Sequence, residues 1–460
     1  MTDAPAPAPG PAPGPAPVTG RVARTVAWVT AHPPPGSGQL LSGRLWRSPL
    51  RGPWLTSVFG AVLLVGMPVL IVTGLASFLA YQPQFAGNAQ PADVGWLHLP
   101  YVDWPASPGW LYRVTQGLHV VGGIVLVPVV LAKLWSVIPK LFAWPPAVSV
   151  LQLLERLSLV MLVGGILFEM VTGIMDVQYD YAFGFDFYTA HYWGAWVFIA
   201  GFVAHTVLKV PLMVRALRTR SLALELRTPR DRTAPEVESG DSELHGLVPV
   251  TPGPATTSRR GALAMVGGGS LLLFVVTAGA SLSDRLRGTA VFSARGRTGG
   301  SGPTGFPVNK TASGAGITAA AAGTDWRLAL DGAPGSTPVS LSRAELLGMP
   351  QHTARVPIAC VEGWSTVQTW TGVRLRDLAA LVGVTDAGGA VVTSLEKGSP
   401  YSRVTLNGGQ VRAGDAVLAL RVNGVDLSPD HGYPARVVVP AIPGVHATKW
   451  VAGIAFGATT

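Results

Sequence analysis

The chain has 460 residues, which is long enough for two or three domains. Hydrophobic residues make up 48% of it and charged residues only 13%, whereas soluble domains carry about 25% charged residues. This composition excludes an ordinary soluble protein and indicates a membrane protein with a soluble part attached. The net charge of +9 does not indicate nucleic-acid binding, because the basic residues cluster beside apolar runs instead of covering a soluble face.

Five apolar runs set the order of the segments, and each is long enough for the ~20 residues that cross a bilayer as a helix. They cover residues 54–81, 110–138, 151–175, 188–214 and 261–282. Residues 1–50 begin with Pro/Ala/Gly repeats that cannot bury a core, and they predict a disordered tail. The predicted domains are then a four-helix region at 51–217, a polar linker at 218–258, a fifth helix at 259–282, a flexible linker at 283–305 and a soluble domain at 306–460.

Lysines and arginines predict the orientation. They flank the runs in the N-terminal tail, between the second and third runs and before the fifth, whereas loops 82–108 and 176–187 contain none. The positive-inside rule then predicts a multi-pass protein of the cell membrane with a cytoplasmic N-terminus and an extracytoplasmic C-terminal domain. Arg259-Arg260 fits a plain positive-inside anchor and fits equally a twin-arginine export signal, whose route carries folded, cofactor-loaded domains.

The region after residue 306 alternates short β-like runs with turn signals, which predicts one α+β domain. Asn407-Gly408-Gly409 and Asn423-Gly424 are the clearest turn signals. The predicted strands are 326–330, 355–358, 390–394, 417–422 and 436–439, and 375–381 is a predicted helix.

Cys360 is the only cysteine of the chain and follows a strand-like run that Gly363-Trp364 breaks. It can form neither an internal disulfide nor a multi-cysteine metal site. One interpretation is a small buried hydrophobic residue. The other is a soft thiolate that binds a metal whose remaining ligands come from a cofactor.

Three histidines lie within the apolar runs: His119 in the second, His191 and His205 in the fourth. Histidines inside a membrane are costly and predict a functional site, and imidazoles on facing helices can bind haem iron. At 1.5 Å per residue, His119 lies roughly 9 Å and His191 ~15 Å outside the midplane, whereas His205 lies ~6 Å inside it. The depths therefore pair His119 with His191 and leave His205 for a second haem.

The four-helix region resembles the membrane b-type cytochromes that serve formate dehydrogenases and hydrogenases. Thr73-Gly74-Leu75 is similar to the end of that family's first span. The family's fourth helix carries two histidines whose partners lie on the second and first helices, but here the first run has none and Trp54 stands near the expected position. The resemblance implies haem b at His119, His191 and His205, a quinone or quinol partner and contact with membrane lipid.

Three blocks of the C-terminal region resemble the molybdopterin-binding domain of the sulfite oxidase family. They are Arg355-Val-Pro-Ile-Ala-Cys360-Val-Glu-Gly-Trp-Ser365 with Trp370-Thr-Gly-Val-Arg-Leu375, the stretch 419–440, and Gly444-Val-His-Ala-Thr-Lys449-Trp450. The resemblance implies that Cys360 binds molybdenum through its thiolate. It implies that the pterin and its phosphate contact Asn309, Ser394, His431, Arg436 and Lys449.

The segment after Cys360 departs from true sulfite oxidases, which have arginines there that help to bind the anion. This chain has Glu362 and Ser365, with no arginine before Arg374, and so looks more like the periplasmic methionine sulfoxide reductase branch. An acidic residue beside the metal disfavours sulfite by charge repulsion. Glu362 and Tyr401 are therefore candidate catalytic residues with Cys360, although Tyr401 fits a strand-end aromatic residue equally well.

Taken together, the sequence predicts a multi-domain membrane protein. An all-α transmembrane four-helix bundle and a fifth transmembrane helix precede an α+β sulfite oxidase-type molybdopterin domain. The predicted function passes electrons between quinone, haem and the molybdenum centre, and reduces a sulfoxide-like or other oxidised substrate, either a small molecule or an oxidised protein. The alternatives are the same parts run as an oxidase, a non-catalytic electron-transfer or scaffold protein, and a transporter, for which Glu169 is the main acidic residue within a run.

Overall fold

The computed structural model describes most of the chain. The described residues are 28, 31–32, 44–81, 91, 93–100, 102–142, 150–176, 187–238, 246–292, 300–332 and 335–457. Of the predicted disordered tail at 1–50, residues 28, 31–32 and 44–50 are described, and the rest lies outside the described residues, as do parts of both loops that lack Lys and Arg.

The N-terminal half is helical. Its long helices are α1 (Pro53–Tyr81), α2 (Leu111–Leu141), α3 (Val150–Asp176), α4 (Phe187–Leu217) and α6 (Arg259–Leu282), with the short α5 (Leu222–Arg227) between the last two. All five long helices are long and apolar enough to cross a membrane, with mean hydropathies from 1.9 to 2.4. Large apolar side chains such as Val65, Val160 and Val207 are exposed, as expected of a surface that meets lipid. These features suggest a membrane protein. The bounds of the five long helices agree with those of the predicted apolar runs.

The described parts of the segment 218–258, which the sequence predicts to be a polar linker, contact the start of α1 and the start of α6. Both carboxylate oxygens of Glu236 accept hydrogen bonds from the backbone N–H of Trp54, at 3.2 and 3.0 Å, and so satisfy a free donor at the start of α1. Arg259 is buried and pairs with Glu225 at 3.1 Å. Arg259 therefore has a structural role at the start of α6, and the export-signal interpretation stays a prediction.

The C-terminal half forms two five-stranded sheets, in agreement with the predicted α+β class. The strands are β3 (Arg327–Asp331), β4 (Val339–Ser342), β5 (His352–Ala359), β6 (Ser365–Arg374), β7 (Gly389–Ser394), β8 (Arg403–Asn407), β9 (Val417–Val422), β10 (Val425–Asp426), β11 (Arg436–Val438) and β12 (Val451–Phe456). One sheet has the order β10-β9-β6-β5, with β11 also paired to β9, and the other has the order β4-β3-β12-β7-β8. Helices α7 (Arg343–Gly348), α8 (Leu375–Leu381) and α9 (Gly408–Arg412) connect them, and a hairpin of β1 (Asp93–Val94) and β2 (Leu97–His98) lies in the first interhelical loop.

The two turn signals have different outcomes. Asn423 and Gly424 both have positive φ, at 51° and 85°, and join β9 to β10 as the predicted tight turn. The prediction of a turn at Asn407 is wrong, because its side chain accepts a hydrogen bond from Gln410 N–H and caps α9. A short polar side chain followed three residues later by glutamine is a helix-start signal as well as a turn signal.

The C-terminal domain rests on one end of the helical bundle, at the end of α1 and the start of α2. The Trp104 indole donates to the carbonyl of Ala441 at 2.6 Å, and the amide of Asn407 donates to the carbonyl of Trp104 at 3.2 Å. We call this end of the bundle the domain-facing end and the end at Pro53 the linker-facing end. The contact places the loop after β5 directly over the helices.

Candidate functional site

Cys360 lies where β5 ends, in a tight loop that returns the chain into β6. Its N–H donates to the carbonyl of Trp364 at 2.9 Å, and the N–H of Gly363 donates to the carbonyl of Cys360 at 3.1 Å. Gly363 has φ of +84°, a conformation that L side chains rarely adopt, and a Cβ there would also collide with Val120 of α2. The loop therefore fixes Cys360, which is only 4% exposed, between the domain and the bundle.

A cavity of about 350 Å³ surrounds Cys360. It brings together seven of the predicted site residues: Asn309, Cys360, Glu362, Ser394, Tyr401, Arg436 and Lys449. They come from separate loops and strands along 141 positions of sequence, from 309 to 449. Such convergence on one cavity supports a shared ligand better than any single residue does.

One side of the cavity carries fixed positive charge. Arg436 is buried, donates through Nε to the carbonyl of Ala447 at 3.1 Å and lies 5.5 Å over the ring of Trp370. Burial lowers the pKa of Arg436 to about 10, which still leaves the guanidinium charged at neutral pH. The Lys449 ammonium donates to the carbonyls of Lys310 and Asp430 at 2.7 and 2.8 Å. Two positioned cations of this kind suit a phosphate.

Three further polar residues of the C-terminal domain, which the sequence did not single out, line the same cavity. Lys310 and Glu396 form an ion pair, and Thr448 is buried with a hydroxyl that has no hydrogen-bond partner among the described residues. Thr448 and Lys310 each adjoin a predicted residue in sequence, which is the signal that could have found them. A buried hydroxyl without a partner is costly unless a ligand satisfies it.

His431 is placed differently from the other predicted cofactor contacts, because it is not among the described residues that line the cavity. Its Nδ1 lies 2.8 Å from the hydroxyl of Ser428, and its Nε2 lies 3.3 Å from the carbonyl of Phe306. The carbonyl of His431 accepts a hydrogen bond from Arg436 at 3.4 Å. In this structure His431 therefore supports the loop that holds Arg436.

We expect His431 to make the domain less stable below neutral pH. Burial, and then the charges of Arg436 and Lys449, lower its pKa from 6.5 to about 4. Between these values the unfolded chain binds a proton that the folded chain excludes, so stability falls as pH drops from about 6.5 to about 4, by up to ~3 kcal/mol. Thermal unfolding of His431→Gln should therefore depend less steeply on pH than that of the wild type over this range. Parallel curves would contradict the assignment.

The residues just after Cys360 divide between the cavity and the bundle. Glu362 lines the cavity, and its carboxylate accepts a hydrogen bond from the Trp364 indole at 2.8 Å. Ser365 is buried against the helices, where its hydroxyl donates to the carbonyl of Ser281 at 2.9 Å and accepts from Arg113 at 3.0 Å. Ser365 thus serves the contact between the two halves and does not line the cavity, so of these two residues only Glu362 bears on the substrate.

The cavity fits a molybdopterin. Among the described residues no group of three or more His, Cys, Asp or Glu side chains could hold a metal, so a metal at Cys360 needs ligands from a cofactor. The cations Arg436 and Lys449 are placed for the phosphate, and the Thr448 hydroxyl offers a hydrogen bond. Asn309 and Ser394 add polar edges to the same wall.

The helical half completes this cavity, which the sequence analysis did not foresee. Tyr81 ends α1, Asp176 ends α3, and Tyr188 lies at the start of α4, and all three line the cavity around Cys360. Aromatic residues at the ends of apolar helices are ordinarily explained by the membrane interface. From the sequence alone, Tyr81 and Tyr188 could therefore not be distinguished from aromatic residues that lie at the membrane interface.

A second cavity lies inside the bundle and contains the predicted histidine pair. The ring centres of His119 and His191 are 6.0 Å apart and the ring planes are nearly perpendicular, at 87°. Metal–imidazole bonds are about 2 Å long, so two imidazoles that share one ion hold their ring centres about 6 Å apart. The structure brings together the two imidazoles that helix depth pairs, and their role as ligands of one haem stays a prediction.

Each of the two histidines is held by the same arrangement on the preceding helix. The hydroxyl of Thr73 lies 3.2 Å from Nδ1 of His119, and the hydroxyl of Thr172 lies 3.1 Å from Nδ1 of His191. The next residue in each case is a glycine, Gly74 or Gly173, against which the imidazole packs: an added Cβ would lie 2.9 and 3.1 Å from the ring carbon Cε1. Bonding of Nδ1 in this way orients the ring and leaves Nε2 for a metal.

His205 lies in a third cavity, towards the linker-facing end. The described residues that line it include no second histidine, and the assignment of His205 to a second haem stays a prediction. Its ionisable residues are Lys133, Lys140, Glu155 and Lys209 in addition to His205. Lys209 pairs with Glu155 at 2.8 Å, and the Lys133 ammonium donates to the carbonyl of Thr56 at 2.7 Å.

Comparison with known proteins agrees with the geometry around Cys360. Residues 315–460 match the family described as oxidoreductase molybdopterin binding domain. The uncharacterized oxidoreductase YuiH of Bacillus subtilis is 34% identical over 134 residues, which are 29% of this chain and 66% of YuiH. Mouse mitochondrial sulfite oxidase is 32% identical over 152 residues, which are 27% of this chain and 28% of that protein.

These matches define the C-terminal region as a molybdopterin-binding oxidoreductase, and hence as an enzyme. More narrowly, it is a domain of the sulfite oxidase type. The chain spans less than two thirds of either relative's length. The crystal structure of the sulfane dehydrogenase SoxCD from Paracoccus pantotrophus is 26% identical, with 29% of this chain and 38% of that chain covered, but its TM-score of 0.27 carries no argument about the fold.

Proposed function

We propose that the protein passes electrons from quinol, through haem b in the bundle, to a molybdenum centre at Cys360, where a sulfoxide-like substrate is reduced. Quinol supplies two electrons and two protons, and a sulfoxide consumes two of each to give a thioether and water. The observation that supports this most directly is the presence, in one chain, of a metal-compatible histidine pair within apolar helices and of the Cys360 cavity at the end of the same helices.

The haem site would consist of His119 and His191 with the threonine–glycine pairs that orient them. Haem b supplies one-electron exchange in this apolar interior. The chain's own contribution would be to orient both imidazoles and to hold their ring centres 6.0 Å apart. A single haem is proposed, because the cavity of His205 has no second histidine among its described lining residues.

A molybdenum cofactor bound at Cys360 supplies the oxygen-atom exchange. Arg436 and Lys449 would hold its phosphate, and Thr448, Asn309 and Ser394 would hydrogen-bond its polar edges. The lining residues left to contact the substrate are Glu362, Tyr401, Tyr81, Tyr188 and Asp176. Both carboxylic residues of that group disfavour an anion such as sulfite and favour a neutral sulfoxide, whether free or on an oxidised protein.

The cavity of His205 is the proposed quinol site. It is lined mainly by apolar side chains and contains Lys133 and the Lys209–Glu155 pair. An apolar slot with a few polar groups is the usual design for a hydrophobic ligand with polar ends. In the proposed topology, with a cytoplasmic N-terminus and an extracytoplasmic C-terminal domain, this cavity lies towards the cytoplasmic face.

Replacement of Lys133 by methionine is expected to raise the KM for a soluble quinol about 10-fold, because a charged hydrogen bond to the ligand is lost, worth ~1.5 kcal/mol. Sulfoxide reduction driven by dithionite, which does not need the quinol site, should keep its rate. Steady-state assays with the two donors separate the effects. A loss with both donors, or with neither, would remove Lys133 from the quinol site.

The opposite direction is the second candidate function. The relatives include a mitochondrial sulfite oxidase, whose name indicates oxidation. The same cofactors would then send substrate electrons to quinone. Addition of sulfite to the oxidised protein distinguishes the two, because reduction of the haem by sulfite would favour the oxidase.

The first test of the proposed function is the cofactor content of the purified protein. Full-length protein purified in detergent should contain about one haem b and one molybdenum per chain, measured by the pyridine haemochrome spectrum and by mass spectrometry of the metal. Absence of either would contradict the proposed function.

A further inference from the structure

The loop that follows Cys360 rests directly on the second helix of the bundle. The side-chain amide of Gln116 donates to the backbone carbonyl of Val361 at 3.0 Å. The hydroxyl of Ser77 donates to the side-chain oxygen of Gln116 at 2.9 Å. Gln116 is only 4% exposed, so both ends of its amide are fixed in a buried position.

Gln116 also belongs to the histidine cavity. It precedes His119 by three residues, so the two side chains lie on the same face of α2, one turn apart. Both line the cavity that contains His119 and His191. A single side chain thus borders the proposed haem site and contacts the residue next to Cys360.

The two cavities share a wall. Val361, Asp176 and Tyr188 line both the cavity around Cys360 and the cavity around the histidine pair. Of these, Val361 is covalently attached to the proposed metal ligand. One continuous route between the two sites therefore runs through the 361 peptide and the amide of Gln116.

Further contacts on α2 and α6 hold this loop in place. Arg113, one turn before Gln116, donates to the hydroxyl of Ser365 at 3.0 Å and to the carbonyl of Ser281 at 3.1 Å. The hydroxyl of Ser281 in turn donates to the carbonyl of Gly363. Loop and helices are connected at several points, which favours one fixed separation between the two sites over a swinging arrangement.

We propose that the Gln116–Val361 hydrogen bond is the electron-transfer junction between the two halves of the protein, with Gln116 as a positioning residue. The inference rests on the proposed function. Electrons cross one at a time, from the group held by His119 to the group held by Cys360, and two crossings reduce one sulfoxide. The amide of Gln116 is neither oxidised nor reduced, and no bond to it forms or breaks. Its hydrogen bond to Val361 joins α2 and the loop after Cys360 by a continuous contact, where a gap would otherwise separate them.

The test measures single-turnover reoxidation of haem in the full-length protein. The protein is reduced with dithionite equivalent to about three electrons per chain, one for the haem and two for the molybdenum centre, methionine sulfoxide is added, and the return of the oxidised haem absorption is followed by stopped flow. Gln116→Leu should slow this step about 10-fold or more, the range seen when a partner beside a metal ligand is removed. Its haem spectrum, haem midpoint potential and molybdenum content should match those of the wild type.

Two further variants keep the test decisive. Ser77→Ala removes the other hydrogen bond of the same amide but leaves the contact with Val361, so its reoxidation rate should stay close to that of the wild type. Gln116→Asn keeps an amide that is one methylene too short to reach both partners, and it replaces Gln116→Leu if that variant does not fold. Hydrogen–deuterium exchange should be faster in peptides covering 360–365 in the Gln116 variants, with or without cofactors bound.

The outcomes separate the two proposals. A Gln116 variant that holds both cofactors and transfers electrons at the wild-type rate would overturn the junction while leaving the proposed function intact. A slowing of equal size in Ser77→Ala would also overturn it, because the effect would then follow from general disturbance of the site. Wild-type haem that sulfoxide does not reoxidise would overturn the proposed function and the junction with it.

Discussion

Sulfoxide reduction by the Cys360→Ser variant is expected to fall by at least ~100-fold. Removal of a partner in the second shell of a metal ligand already costs 10–100-fold, and Cys360 is the proposed ligand itself. Serine has nearly the same shape, and Cys360 is only 4% exposed, so the fold should change little. Substrate reduction with dithionite as the donor measures the effect without dependence on the haem.

Two controls accompany this variant. The haem spectrum should be unchanged, because His119 and His191 lie in a different cavity. The thermal unfolding temperature should stay within a few degrees of that of the wild type. A Cys360→Ser protein with wild-type activity would exclude the thiolate from the chemistry.

Replacement of either His119 or His191 by alanine is expected to remove nearly all haem from the purified protein. One imidazole cannot hold both axial positions of the iron, and each ring is oriented by its own threonine. The pyridine haemochrome spectrum, normalised to protein, gives the content directly. Quinol-driven activity should disappear with the haem, whereas dithionite-driven activity should remain.

His205→Ala is the matched control, because it removes a histidine from the same helix as His191 but from another cavity. It should retain about one haem per chain. Loss of haem in His205→Ala together with retention in His119→Ala would contradict the proposed pairing.

Much of this architecture follows from the sequence because the signals are local. The apolar runs predict the five long helices, and the strand-like run before Cys360 predicts β5. Helix depth was enough to pair His119 with His191, since depth depends only on the rise per residue and the ends of the runs. Four of the seven predicted residues that meet in the Cys360 cavity lie within the three sequence blocks: Cys360, Glu362, Arg436 and Lys449.

The remaining features depend on contacts between distant parts of the chain, and a single sequence does not reveal them. Tyr81 and Asp176 reach the Cys360 cavity only because the domain rests on the ends of α1 and α3. In the sequence, Gln116 is an ordinary polar residue near a helix end, and only the structure shows its hydrogen bond to Val361. Segment 218–258 has linker composition, yet Glu225 and Glu236 are buried where Arg259 and the start of α1 need partners.

In the proposed function, electrons pass through this one chain from quinol to an oxidised substrate. One measurement tests this transfer most directly. Full-length protein is placed in lipid nanodiscs, its haem is reduced with a soluble quinol, and methionine sulfoxide is added while the haem absorption is recorded. We expect the haem of the wild type to return to its oxidised spectrum with formation of methionine, and the haem of Cys360→Ser to stay reduced. Wild-type haem that stays reduced although molybdenum is bound, or equally fast reoxidation in Cys360→Ser, would contradict the account.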